Sequence, residues 1–388
     1  MQRTPFPNNI IPANRISPVA VKLIAFPYHA LPTDNGQAFT HNFNFNRNAA
    51  TGGDNDQINI RGDYQMSEKQ RLLARYTRWE SSNQPVDPYS NGFRQSDPFS
   101  PEHFVTTQAV LADTYVLRPN MILDVRAGFT RWFYNRIPGT LGQNGTAVGL
   151  PSYFNQIATL NGLAGSTTIP QINISSPTIN QVSTGYLLGV DNTYTLSPTF
   201  NWTKGKHSVK FGGEFHRYTL GYFQNNAAGG VFNFDNLFTA ATNTGGATGS
   251  GYASFLLGLS NNSSLIQTSW LTYTMMDYEG FFLTDTFQAT KKLSITAGLR
   301  YEIPGVYKER FDRIATFNRY EPNPALTGIL VNGKPVLGAY DPVNTPNHPY
   351  RGQTAEHYGL LAPRIGIAYR LNNTTVIRTG RGPILHSR

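Results

Sequence analysis

The chain of 388 residues carries 32 Lys and Arg against 23 Asp and Glu, a net charge of +9, yet only 14% of its residues are charged while 13% are aromatic. Soluble domains average roughly 25% charged residues, so this chain is poor in charge and rich in rings, with 21 Tyr and 24 Phe. The basic residues are scattered, with no run longer than Lys291-Lys292, which argues against a nucleic-acid partner; the absence of Cys removes any disulfide framework and any Cys-based metal or redox centre.

In chain order, residues 1–56 read as a Pro-rich leader. Its start, MQRTPFPNN, lacks the charged and apolar regions of a signal peptide. No apolar stretch approaches the roughly 20 residues of a spanning helix; the longest, residues 252–259, is far too short. The chain is therefore either cytosolic or a piece of something longer. Ser17 followed by Pro18 and VAVKLIAF predicts a short helix with Ser17 as N-cap and Pro18 at its first position.

From residue 57 onward, strand-like segments come in pairs. Residues 57–65 and 71–80 flank MSEKQ, 105–117 and 121–135 flank RPN, and 191–203 and 207–220 flank KGK. Residues 277–288 and 293–303 flank ATKK, and 357–370 and 375–381 flank LNNT. These are five expected hairpins with turns of a few residues. Residues 254–274 are read as one or two further strands. Between the hairpins lie long segments rich in Gly, Asn, Ser, Thr and Pro: 81–104, 136–190, 221–251 and 304–356. Structureless loops longer than about 15 residues are rare in compact soluble domains. Regular alternation of short turns with long loops is the asymmetry of an outer-membrane barrel.

The arms themselves are two-faced. Leu293, Ile295, Ala297, Leu299 and Tyr301 alternate with Ser294, Thr296, Gly298, Arg300 and Glu302. Leu123, Val125, Ala127 and Phe129 alternate with Asp124, Arg126, Gly128 and Thr130; Val209, Phe211, Gly213 and Phe215 alternate with Lys210, Gly212, Glu214 and His216. Ile365, Ile367, Tyr369 and Leu371 alternate with Arg364, Gly366, Ala368 and Arg370. A period of two gives each strand one apolar and one polar surface. In a barrel these face lipid and a wet lumen respectively. The expected fold is all-β: an antiparallel up-and-down transmembrane β-barrel, here a partial, open one of about 10 to 12 strands over residues 57–388, with long extracellular loops.

Motifs for chemistry are weak. Arg61-Gly62-Asp63 spells an adhesive tripeptide but lies mid-strand, with Arg61 and Asp63 on the polar face. Asp54, Asn55 and Asp56 lack the later Glu of a calcium loop and are read as a solvated turn. The eight His residues include no HExxH; His207 and His216 are assigned to turn and lumen. No GxSxG, P-loop or dinucleotide fingerprint occurs. No catalytic, metal or cofactor site is assigned, and the chain is not read as an enzyme.

Five segments resemble the Oar-like subgroup of TonB-dependent outer-membrane receptors, in the family's order. Residues 4–26, TPFPNNIIPANRISPVAVKLIAF, resemble FPxNxIPxxRIDPVAxKLL; residues 56–76 resemble RxDxxxSxKxRLxARY, and 202–217 resemble GKHxLKFGGEFR. Residues 281–302 are similar to FxQDDWKVTxxLTLNLGLRYE, and 362–382 to PRxGFAYxxxGxTVxRAGYG. The final RTGRGPILHSR departs from the last pattern. The resemblance implies a cell outer-membrane location in Gram-negative bacteria. It also implies a longer protein with signal peptide, regulatory-like domain, plug and C-terminal strands, of which this would be about the first half of the barrel. Implied partners are outer-membrane lipid, the TonB complex acting through the plug, and a large extracellular substrate; loops rich in Asn, Gly, Ser and Tyr suit carbohydrate or peptide. The alternative is an adhesive or structural surface role using the same loops.

Overall fold

The computed structural model describes residues 2–26, 33, 35–38, 44–46, 48, 50–87, 101–160, 168–175, 179–180, 185–227, 229–243, 246–266 and 271–383. Ten strands form one antiparallel path in strict chain order: β1 (Gly52–Ser67), β2 (Gln70–Gln84), β3 (Glu102–Arg118), β4 (Met121–Arg136), β5 (Tyr186–Lys204), β6 (His207–Asn225), β7 (Thr272–Gln288), β8 (Leu293–Pro304), β9 (Leu360–Arg370) and β10 (Val376–Arg381). All five expected hairpins are present. Because each strand pairs antiparallel with its chain neighbour, the five short turns share one rim, and the leader and the four long connections share the other.

Most strands outrun the expected arms. β5 and β6 have 19 residues each, more than the roughly 9 to 11 that cross hydrocarbon, and they pass the expected arms on the long-connection side. Ile58, Arg78, Thr107, Arg131, Asn192, Thr219 and Met275 form one row of direct partners. The row starts in the middle of β1 and passes beyond the end of β8, whose ladder with β7 begins only at Tyr278–Pro304, so that Met275 pairs instead with Lys308 of the fourth connection. Such stagger is the tilt that a barrel wall requires. Among the described residues the path does not close, and β1 and β10 are its edges.

Two corrections to the sequence reading fall on single segments. Asp54, Asn55 and Asp56 lie within β1 rather than in a turn, because each has a partner on β2. Residues 254–274 do not supply extra wall strands: the segment opens in a helix, passes through the short strand Asn262–Ser264 and then enters β7, while residues 267–270 lie outside the described set. The Ser250 hydroxyl caps that helix by accepting from the Ala253 N–H. An apolar run of this length is ambiguous between helix and strand, and here the cap decides.

The second, third and fourth long connections are folded rather than structureless, while residues 88–100 of the first lie outside the described set. Helices α1 (Pro18–Ala25), α2 (Tyr153–Leu160) and α3 (Gly251–Leu256) sit beside a small sheet in the order Asn262–Ser264, Val231–Phe234, Gln171–Ile174, Ile179–Asn180, whose central pair is parallel. The buried apolar cluster of the molecule is here: Ala20, Leu23, Val148, Ile169, Ile172, Ile174, Phe234 and Phe255, none of them on β1–β10. α1 forms where expected, with Pro18 at its start. The Ser17 side chain makes no capping bond; its N–H instead donates to the Leu256 carbonyl at 2.8 Å, tying the leader to α3. The fourth connection carries two further hairpins, Ala315–Pro322 with Leu337–Pro342 and Leu330–Val331 with Lys334–Pro335.

Candidate functional site

Register decides which residues share a face, and it carries the two-faced pattern across neighbouring strands. Phe211, Leu283, Leu299 and Pro363 form one row on β6–β9, and Phe281, Tyr301 and Leu361 another. The row Tyr64, Leu72, Asp113, Val125 and Pro198 continues the same face over β1–β5. Among the described residues no packed layer covers it: Ile60, Leu111, Leu283, Leu299 and Ile365 are each between 44% and 63% exposed. The opposite face carries Asn59, Arg61, Asp63, Arg126, Lys210, Glu214, Arg300 and Arg364.

On the polar face, charges are arranged in small paired groups. Arg61 Nε bonds Asp63 at 2.8 Å and Arg71 reaches the other Asp63 oxygen at 2.7 Å, so the adhesive tripeptide is held within the wall. Thr114 donates to Asp124 at 2.8 Å and Arg126 pairs with the same carboxylate at 3.0 Å. The densest group lies on β6–β8. The Arg300 guanidinium donates to Glu302, to Glu214 at 3.0 Å and to the Tyr278 hydroxyl at 2.9 Å, while His216 stacks edgewise on Tyr278 with centroids 5.6 Å apart. Alternation had already put Glu214, His216, Arg300 and Glu302 on this side; only the β6–β7 pairing shows that they meet.

The apolar face also holds charges that alternation did not single out. Arg217 pairs with Asp277 at 2.6 Å toward the long-connection rim. Near the short-turn rim, a ring nitrogen of His207 lies 2.7 Å from Asp285, and Gln70 donates to Asp113 at 2.9 Å. His207 thus opens β6 beside the short turn rather than lying in it, while His216 is on the polar face, as expected. Among the described residues no group of three or more His, Cys, Asp or Glu is placed to hold a metal ion.

The cap over the long-connection rim is a second candidate surface. The Arg3 guanidinium donates to the carbonyls of Ala240 at 3.0 Å and Thr242 at 3.3 Å, and the Arg3 N–H donates to Ala241 at 2.9 Å, fastening the leader to the third connection. In the fourth connection the buried Glu309 carboxylate accepts from the N–H groups of Phe311 at 2.8 Å and Arg313 at 3.1 Å and pairs with the Arg313 guanidinium at 2.6 Å. Burial pushes this carboxyl up, but Arg313 and the surrounding N–H groups outweigh it and hold it at about 2. Beyond that anchor the hairpin presents rings to solvent: Phe317, Tyr320 and Tyr340 are 60%, 72% and 76% exposed, with Phe317 and Tyr340 in edge contact at 5.6 Å.

Residues 1–387 match the family model described as an outer membrane beta barrel domain. No curated protein matches. Among solved structures, the chain is similar to the ferric citrate transporter FecA in its unliganded form, at 10% identity with a TM-score of 0.40, covering 85% of this chain and 36% of that one. It is also similar to the ferric-catecholate import receptor Fiu from E. coli K12, at 12% identity and TM-score 0.41, over 90% and 48% of the two chains. The FrpB iron transporter from Neisseria meningitidis matches at 10% identity and TM-score 0.39, over 91% and 39%. The chain spans less than half the length of each.

Proposed function

From the premise that this chain belongs to the outer membrane β-barrel domain family and lies in the outer membrane, we propose that it works as part of a TonB-dependent receptor of the Oar-like kind. In this reading it captures a large extracellular solute at the capped rim and admits it along the polar face. The observation that carries the reading is the asymmetry of the sheet: five tight turns on one rim, and on the other a folded cap with its own buried core and exposed rings. Barrels of this class place short turns in the periplasm and long loops outside. Exposed Phe317, Tyr320 and Tyr340 beside Asn318 and Arg319 offer the stacking faces and hydrogen-bonding groups that a carbohydrate or a peptide uses. Energy for entry would come from the inner-membrane TonB complex acting on a plug.

The test is uptake of a panel of labelled oligosaccharides and peptides by cells carrying the gene, lacking it, or lacking TonB. Accumulation lost in both deficient strains supports transport. Surface binding that needs the gene but is indifferent to TonB, without accumulation, would replace transport by adhesion.

A further inference from the structure

On the polar face of β6–β9, Lys210, Thr284, Gly298 and Arg364 are direct partners in one row. Two cations therefore stand at the ends of a four-strand row, about 14 Å apart at three strand spacings, with small residues between them. The floor is low by construction. A Cβ at Gly298 would lie 3.1 Å from the Thr284 hydroxyl, and one at Gly212 would meet the Pro198 carbonyl at 2.3 Å and the Phe282 ring at 2.9 Å. Glycine at 212 lets the Phe282 ring lie flat, and the Lys210 ammonium sits 5.7 Å from that ring's centre. The result is an open concavity whose lining includes Lys210, Glu214, Phe282, Thr284, Arg300 and Arg364.

Charge in this concavity is not balanced. Arg300 is already engaged by Glu214 and Glu302. Lys210 and Arg364 have no carboxylate partner among the described residues. We propose that this shelf is an anion-binding site on the solute's route, taking a carboxylate or phosphate group between Lys210 and Arg364, with the Thr284 and Thr296 hydroxyls as further donors. Guanidinium binds such oxyanions through two parallel N–H groups, and ammonium serves as a point charge. Three cations against one carboxylate line this concavity, and such an excess also concentrates counter-ions. The role in passage rests on the transport reading above; binding itself does not.

The test is calorimetric titration of the purified full chain in detergent micelles with succinate and, in parallel, inorganic phosphate, in low and high salt. Saturable, salt-weakened binding of either anion is expected, succinate alone marking a carboxylate site and phosphate alone a phosphoryl site. Lys210→Gln and Arg364→Gln should each weaken it roughly tenfold, the loss of one charge-assisted bond, and Lys210→Arg should restore it. Arg75→Gln, which removes a cation from the polar face of β2, should leave it unchanged. Circular dichroism confirms that each variant keeps its strands. No saturable binding to the folded wild type, or binding unchanged in the double variant, overturns the shelf. If uptake proves indifferent to TonB while the titrations hold, transport falls and the shelf stands; if uptake needs TonB but nothing titrates, the shelf falls alone.

Discussion

The wall and the cap of this molecule bury apolar residues by opposite rules. In the wall, Ile60, Leu111, Leu283, Leu299 and Ile365 stand on one face and remain 44% to 63% exposed. In the cap, Leu23, Ile169, Ile174 and Phe255 are at most 3% exposed and touch one another. The cap is built like a water-soluble domain, whose apolar atoms must leave water together. The wall makes sense only if the solvent on its apolar side is itself hydrocarbon, since no layer of the described residues covers that face. One chain thus shows two solvents in its burial pattern, with the boundary where the strands pass into the long connections.

The largest effect expected from a single change lies in the cap. Phe255 is 2% exposed, packing edgewise on Phe234 with centroids 5.3 Å apart, and Phe255→Ala leaves a cavity worth about 3 to 5 kcal/mol. Limited proteolysis should then cut residues 137–185 and 226–271 while β1–β10 resist. Protection unchanged in the variant would mean that the cap core does not hold the connections, and the contrast between the two regions would fail.

How much of this contrast was legible beforehand follows from the range of the contacts. The hairpins were readable because period-two patterning and a short turn are both local. The polar-face residues Lys210, Glu214, Arg300 and Arg364 were readable one strand at a time; their meeting depends on pairings across residues 226–271 and 305–359. The cap was invisible, since its central pairing of Gln171–Ile174 with Val231–Phe234 joins two different connections. The start of the segment 254–274, read as strand, misled for a related reason: its apolar residues serve a cap core, so they follow no strand period.

Acid should loosen the cap before the wall. Glu309 is held at about 2 against an ordinary value of 4.5, so its ionised form stabilises the folded fourth connection by an amount on the order of 3 kcal/mol. A depressed carboxyl gives stability that is fully present above about pH 4.5 and lost as pH falls toward 2. Hydrogen exchange at the Phe311 and Arg313 amides should accelerate over that window in the wild type. In Glu309→Gln it should already be fast at neutral pH and depend little on acid, beyond the intrinsic chemistry of exchange. Equal pH profiles for the two proteins would show that this carboxylate does not organise the connection.

Within the wall, Leu299→Arg places a guanidinium on the face shared with Leu283 and Pro363. At mid-membrane that costs about 2 to 4 kcal/mol. Denaturant unfolding from lipid vesicles reads it directly. A cost near zero would mean that position 299 does not face acyl chains.

The smallest effect is the sharpest test of the two faces. Thr296 lies three residues from Leu299 on the same strand but on the other side, where its hydroxyl meets that of Thr286 at 3.2 Å and its partner on β9 is Gly366. Thr296→Arg gives up one neutral hydrogen bond, about 1 kcal/mol, and gains a charge that stays hydrated, with room above Gly366 for its stem. A soluble sheet with one covered face would also penalise Leu299→Arg, so the pair of unfolding energies does not discriminate by itself. A polarity-sensitive probe at each position, in vesicles whose acyl chains carry bromine, does. Quenching at 299 and not at 296 assigns hydrocarbon to one face and water to the other. Equal quenching at both, or none at either, would mean that the two faces meet the same solvent.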